Sequence, residues 1–282
     1  MPSLAFHPPY DADGLLAFFA ARAIPQVEWI EAGLYRRVIR LQHEGTEHLG
    51  WLEVKTTSSE LHITLSESLQ VVQAQLLESV ARVFDVNARP EAVLAVLGEL
   101  AADCPGLRLP GTFDPFELCV RAVLGQQITV KAARTLAQRL VQRFGQTIQT
   151  PFPELNLAFP SASTLASCAY SELAELGIIA RRSQAIIAIA QAFANGTLDF
   201  TGPREPLLER LQAIPGIGPW TANYMVMRGC SDPDRWLPKD IVLLKALNLP
   251  RTEAGHKQAQ HIATQWAPWR SYAVLHHWRR CA

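Results

Sequence analysis

Residues 211–225 leave this chain few ways to fold. An apolar helical run stops at Pro215, the tight segment Pro215-Gly216-Ile217-Gly218 follows, and a second helix opens at Pro219, a residue suited to a first helical turn. Two glycines let the backbone turn sharply and bring its amides close to an outside group. Those amides then meet the start of the next helix, where unpaired N–H groups and the helix dipole favour an anion. A plain helix–helix turn would have the same glycines. The periodic segments on both sides and the Thr221-Ala222 that follows point instead to a helix-hairpin-helix holding a DNA phosphate.

Charge supports a nucleic-acid partner only when its distribution is considered. The 282 residues carry no formal net charge, yet residues 1–104 hold 7 Lys+Arg against 14 Asp+Glu, and residues 105–282 hold 19 against 12. The hairpin lies in the basic part, the side that can meet phosphate. The segment 1–10 contains Pro8-Pro9 and lacks a basic start, so no signal peptide is expected. No apolar run reaches membrane-spanning length, and a cytoplasmic protein is expected. Cys104, Cys119, Cys168, Cys230 and Cys281 are scattered without CxxC pairs, which predicts reduced thiols and neither a zinc site nor an iron–sulfur cluster.

The first part of the chain reads as α+β. Strand-like runs cover 35–41, 49–56 and 60–65, the last with Leu61, Ile63 and Leu65 on one face, and 69–86 has helical spacing. Beyond Pro90 the pattern is almost entirely helical: 90–102, 114–124, 130–144, a helix capped by Ser161 or Ser163, 180–195, 207–214, 220–228, 241–247, 253–266 and 270–280. The proline-rich stretch 146–160 reads as a long connection.

Three further features carry chemistry. Trp220 and Tyr224 are four residues apart and share a helix face at the start of the helix that grips phosphate. There an aromatic can stack on a base swung out of the duplex, and a base made cationic by alkylation gains roughly 0.5–2 kcal/mol per good face. Trp278 lies on the final helix, whereas Trp266 and Trp269 read as core. Asp240 directly precedes an apolar helix. It suits an N-cap, and capping would also fix a carboxylate facing developing positive charge, with Lys239 and the helix N-terminus favouring its ionised form. The turn 125–129 reads as a polar turn, or as a site where Gln127 fills the gap left by a departed nucleotide.

With these residues together the chain resembles the AlkA-like DNA-3-methyladenine glycosylase II family over essentially its whole length. The resemblance runs through Pro8-Pro9-Tyr10, Ala20-Ala21-Arg22-Ala23, the segments 106–111 and 121–126, the hairpin, the segment 220–224, Leu237-Pro238 with Asp240, and the segment 268–273. It implies an antiparallel sheet domain like half of a TATA-binding protein (1–88), a helical domain with the helix-hairpin-helix (113–232), and a second helical domain from 89–112 and 233–282. It implies a monofunctional glycosylase that flips alkylated purines such as 3-methyladenine and 7-methylguanine from double-stranded DNA, acting as a monomer. Asp240 falls on the catalytic aspartate, Trp220, Tyr224 and Trp278 on the base pocket, and Gly216, Gly218 and Thr221 on the phosphate-binding amides. Gln127 falls on the minor-groove wedge. The carbonyls of Gln212, Ile214 and Gly216 fall where relatives hold a sodium or potassium ion; no other cofactor is implied. Two departures stand out: Lys239 replaces a second Asp of some relatives, and Gln127 is polar where an apolar wedge is usual. The alternatives are an endonuclease III-type glycosylase/lyase, which needs a lysine nucleophile where this chain has Trp220, and a non-catalytic helix-hairpin-helix DNA-binding protein.

Overall fold

The computed structural model describes residues 2–281. The N-terminal part holds β1 (Ser3–Ala5), α1 (Ala12–Arg22), β2 (Glu28–Glu31), β3 (Leu34–His43), β4 (Thr46–Thr56), β5 (Glu60–Leu65) and α2 (Gln73–Val83). The strands form one antiparallel sheet in the order β1-β5-β4-β3-β2. Period-two alternation sets its faces: Leu61, Ile63 and Leu65 of β5 and Leu52 and Val54 of β4 turn inward with Tyr35 and Ile39 of β3. Against them pack Leu15, Leu16 and Phe19 of α1 and Leu76, Val80 and Val83 of α2. The helix expected over 69–86 begins as a 3-10 segment, Glu67–Val72, before α2 takes over.

The helical part comprises α3 (Pro90–Leu97), α4 (Glu99–Ala102), α5 (Pro115–Leu124), α6 (Val130–Phe144), α7 (Ala162–Ala166), α8 (Tyr170–Glu175), α9 (Ala180–Ala194), α10 (Arg204–Ala213), α11 (Pro219–Gly229), α12 (Ile241–Ala246), α13 (Glu253–Ile262) and α14 (Arg270–Arg280). The single helix expected over 90–102 is broken at Gly98, whose φ is +53°. Ser161 caps α7, its hydroxyl accepting from the Thr164 amide at 3.1 Å. The connection 146–160 is tied down rather than loose. It forms the two-residue pair β6 (Gln146–Thr147) and β7 (Leu157–Ala158), then covers the outer face of the sheet, where Leu155 and Ala158 bury Val38 and Phe152 meets Trp51 edge-on at 5.0 Å.

Buried side chains fall into three main clusters. One lies between the sheet and α1/α2. A second joins α5, α6, α9, α10 and α11 and takes in Ile24 and Val27 from the N-terminal part. The third unites Val93, Leu97 and Leu109 with Trp236, Leu243, Trp266 and Val274, so the chain returns after the hairpin to complete a body begun before α5.

A buried charge network fastens sheet to helices. Arg37 of β3 meets Glu117 of α5 at 2.7 Å, and Arg121 bridges Glu117 at 2.6 Å and Glu28 of β2 at 3.0 Å. The Tyr35 hydroxyl donates to Glu28 at 2.9 Å. Burial works to raise the Glu28 pKa, but Arg121 and Arg37 outweigh it and hold the carboxylate below its ordinary value. Four charges in balance, each hydrogen-bonded, meet the conditions under which such a network survives desolvation. Arg121 also donates to the Arg22 carbonyl, which fixes the end of α1 against α5.

Candidate active site

The hairpin is held from within. Ile217 is buried in the second cluster, its amide donates to the Ile214 carbonyl at 3.0 Å, and Gly216 sits at φ +94°. Only Gly216 needs to be glycine for its conformation. Gly218 has an extended backbone (φ −89°, ψ 172°), and a Cβ placed there would meet nothing within 4 Å. Its missing side chain leaves open the approach to α11, an eleven-residue helix with no side-chain cap and with Pro219 at its start. The N-terminal amides of this helix, Trp220 and Thr221 among them, therefore face outward for an anion. The Thr221 hydroxyl is turned inward instead: Gln126 Nε2 donates to it at 3.2 Å and to the Gly216 carbonyl at 3.0 Å.

That contact brings the turn after α5 against the hairpin. Within it Gln127, at φ +56°, is exposed at the tip, while Gly125 and Ile128 line the adjacent cleft. Holding a non-glycine residue in the left-handed region costs on the order of 1 kcal/mol. Thr129 stops the turn by capping α6 through the Ala132 amide at 3.2 Å.

The cleft has a volume of about 900 Å³ and lies where α1, the α5–α6 turn, α11 and α14 meet. Trp220, Tyr224 and Arg228 occupy successive turns of one face of α11. The rings of Trp220 and Tyr224 are parallel to within 10°, with centroids 5.3 Å apart; Trp278 of α14 stands 6.4 Å from Tyr224, tilted by 43°. At one end of this wall is Asp240. It caps α12, its Oδ1 accepting from the Leu243 amide at 2.9 Å, and its Oδ2 accepts the Trp220 indole N–H at 2.8 Å. The residue is 7% exposed, so its carboxylate is aimed by two donors and shielded from bulk water. Lys239 does not reinforce it as the sequence suggested: at φ +64° it is exposed and pairs with Glu253 at 3.4 Å. The support comes from the helix amide and the indole.

At the other end Arg228 donates to the Pro110 and Gly111 carbonyls, both at 2.8 Å, and to the Tyr224 hydroxyl at 2.9 Å. Burial pushes the Tyr224 phenol up, but Arg228 and Arg22 beside it outweigh burial and bring its pKa below the ordinary value. Arg228, Gln126, Phe18 and Arg22 are site residues that sequence reasoning passed over. Arg228 was findable, because it continues the four-residue spacing of Trp220 and Tyr224; the others become neighbours only through the tertiary fold.

Residues 120–269 match the family described as HhH-GPD superfamily base excision DNA repair protein, and residues 2–114 match the AlkA N-terminal domain. The chain belongs to the HhH-GPD superfamily of base excision DNA repair proteins. Its sequence is 40% identical to DNA-3-methyladenine glycosylase 2 of Escherichia coli over 282 residues, 99% of this chain and 96% of that one. It is 32% identical to DNA-3-methyladenine glycosylase of Bacillus subtilis, over 62% of this chain and 59% of the relative. In fold this HhH-GPD protein is similar to 3-methyladenine DNA-glycosylase from Archaeoglobus fulgidus, with a TM-score of 0.81, 19% identity and coverage of 98% and 97% of the two chains.

Proposed function

We propose that this protein is a monofunctional DNA glycosylase that takes an alkylated purine out of double-stranded DNA and hydrolyses its N-glycosidic bond, the first step in repairing alkylation damage. The observation that carries the reading is Asp240, a shielded carboxylate held by the indole of the residue that opens the aromatic wall. In a site so built, a flipped base lies beside Trp220, Tyr224 and Trp278 while its sugar faces Asp240. Breaking the C1′–N bond leaves an oxocarbenium-like sugar, and the carboxylate stabilises that positive charge and orients the attacking water. A ring-alkylated purine departs neutral and needs no general acid. The amides at Gly216, Gly218 and Thr221 hold a backbone phosphate and set the register, and Gln127 is the residue that enters the vacated stack.

No cofactor enters this scheme. The carbonyls of Gln212, Ile214 and Gly216 are hard oxygen donors of the kind a sodium or potassium ion takes. The Ile214 carbonyl already accepts the Ile217 amide and the Gly216 carbonyl accepts Gln126, so an ion there would use their second lone pairs. Such an ion would rigidify the hairpin and take no part in bond cleavage. Against the lyase alternative, no lysine lines the cleft among the described residues. Among the same residues no helix is long and apolar enough to cross a membrane.

The test is base release from methylated duplex DNA by Asp240→Asn. Asparagine caps helices as well as aspartate, so the fold is kept. Release is expected to fall by at least about a hundredfold, with binding to abasic DNA retained. Release at the wild-type rate would refute the assignment. Borohydride trapping of an adduct on abasic DNA would point to the lyase, and binding with no release by the unaltered protein would point to a DNA-binding module.

A further inference from the structure

The charges lining the cleft are sorted by position. The contacts run in sequence from Asp240 to Trp220, from Trp220 to Tyr224, and from the Tyr224 hydroxyl to Arg228. The Arg228 guanidinium lies 5.0 Å from the centre of the Phe18 ring, and Arg22 packs on the same ring at 3.7 Å. The carboxylate is thus at one end of the aromatic wall and two guanidiniums are at the other. Arg121, also in the cleft, is neutralised by Glu28 and Glu117. Among the described residues, neither Arg22 nor Arg228 has a carboxylate within 4.0 Å.

The two differ in what they have left to give. Arg228 commits three of its five N–H groups to Pro110, Gly111 and Tyr224, which anchor it to the chain on three sides. Arg22 donates from Nη1 to the Phe18 carbonyl at 3.1 Å and stands beside the Tyr224 hydroxyl, which leaves part of its five-donor fork uncommitted. Burial pushes its pKa below the ordinary arginine value; the Tyr224 oxygen beside it works the other way, while Arg228 and Arg121 add to the lowering. It is half-buried and lines the cleft at the end of the wall away from Asp240.

We infer that Arg22 is a specificity-determining residue: it donates to an uncharged purine in the cleft and stabilises the negative charge that grows on that base as it leaves. This rests on the base-release reading above and adds a division among its substrates. When the C1′–N9 bond breaks, its electron pair stays with the base. A purine alkylated on a ring nitrogen begins at +1 and leaves neutral, so a cation at the base end repels its ground state and gives it nothing in the transition state. Hypoxanthine begins neutral and leaves as an anion, its charge shared between ring nitrogens and O6, and afterwards takes a proton from water. Arginine carries its charge at all working pH values and offers a planar pair of donors to such acceptors. Asp240 then serves the sugar in both cases, and Arg22 serves only the base that leaves with negative charge.

The experiment is single-turnover excision by the full chain from duplexes holding one hypoxanthine or one 7-methylguanine, with Arg22→Gln and Arg22→Lys beside the unaltered protein. Thermal unfolding and binding to abasic DNA check the fold of each variant. Arg22→Gln is expected to slow hypoxanthine release by on the order of a hundredfold while 7-methylguanine release is unchanged or faster. Arg22→Lys, which keeps the charge, should recover part of the hypoxanthine rate. Equal loss on both bases, or no loss on hypoxanthine, overturns the inference, as does an unaltered protein that releases 7-methylguanine but not hypoxanthine. Release of neither base by the unaltered protein removes the base-release reading itself, an outcome visible without any variant.

Discussion

Trp220 does two jobs that separate cleanly at the level of atoms. Its ring makes the stack with Tyr224, and its indole N–H aims Asp240. The sequence showed the first through the four-residue spacing; nothing in it links position 220 to position 240, because that bond forms only when α12 is brought across the start of α11. Trp220→Phe keeps a ring on the wall and removes the N–H. A hydrogen bond to a charged group contributes about 1.5–3 kcal/mol, so the variant should release 7-methylguanine roughly tenfold to a hundredfold more slowly at saturating protein, with DNA affinity near that of the unaltered chain. Single-turnover rates at several protein concentrations separate these quantities. A variant that loses affinity and keeps its maximal rate would show that the indole serves only as a stacking surface.

Among the elements, the hairpin was the most readable, since helical periodicity on both sides and two glycines leave little choice. What the sequence could not divide was the work of the two glycines. Gly216 carries a left-handed backbone, and a Cβ there would also meet Ala185 at 3.4 Å; Gly218 has ordinary extended geometry and open space beside it. Gly216→Ala is therefore expected to lower unfolding free energy by about 1–2 kcal/mol. Gly218→Ala should leave stability within about 0.5 kcal/mol and weaken DNA binding several-fold, because the added methyl occupies the approach to the α11 amides. Chemical denaturation and a binding titration at one fixed salt concentration measure both. Equal effects of the two substitutions on stability would contradict the division. Elsewhere legibility followed pattern strength: β5 was plain from the alternation of Leu61, Ile63 and Leu65, all buried. Strand β1 was not, being three residues long and existing only by pairing with β5. Helix α1 was equally hidden. Leu15, Leu16 and Phe19 face the sheet core while Phe18 and Arg22 line the cleft, so apolar residues surround it and no single stripe announces a helix.

For the molecule as a whole, acid stability is set by groups on opposite sides of a balance. Burial, with Arg280 nearby, pushes both His276 and His277 down to about 4, against an ordinary 6.5. The folded protein then binds fewer protons than the unfolded chain between pH 6.5 and 4, so these two residues withdraw stability as pH falls through that window. Burial, aided in one case by Glu117, raises Asp85 and Asp114 to about 6 from 3.8. Here the folded protein holds the proton more tightly, so the contribution is full below 3.8 and is lost as pH rises through 6. The four groups act in nearly the same interval with opposite sign, so their contributions to unfolding free energy largely cancel, and the depressed carboxylates of Glu28, Asp199 and Asp234 leave a modest net loss as pH falls toward 4.5. Single substitutions expose the balance. His277→Phe keeps the ring against Trp266, 5.1 Å away, and removes a nitrogen, Nε2, that is buried without a partner; its stability should rise on acidification relative to the unaltered chain. Asp114→Asn keeps the cap that accepts the Phe116 amide and removes the titration; it should be the more stable of the two at pH 7 and lose that advantage by pH 4. Denaturation at pH 7, 5.5 and 4.5 gives the three slopes, and parallel lines for all three proteins would show that these groups do not titrate differently on folding.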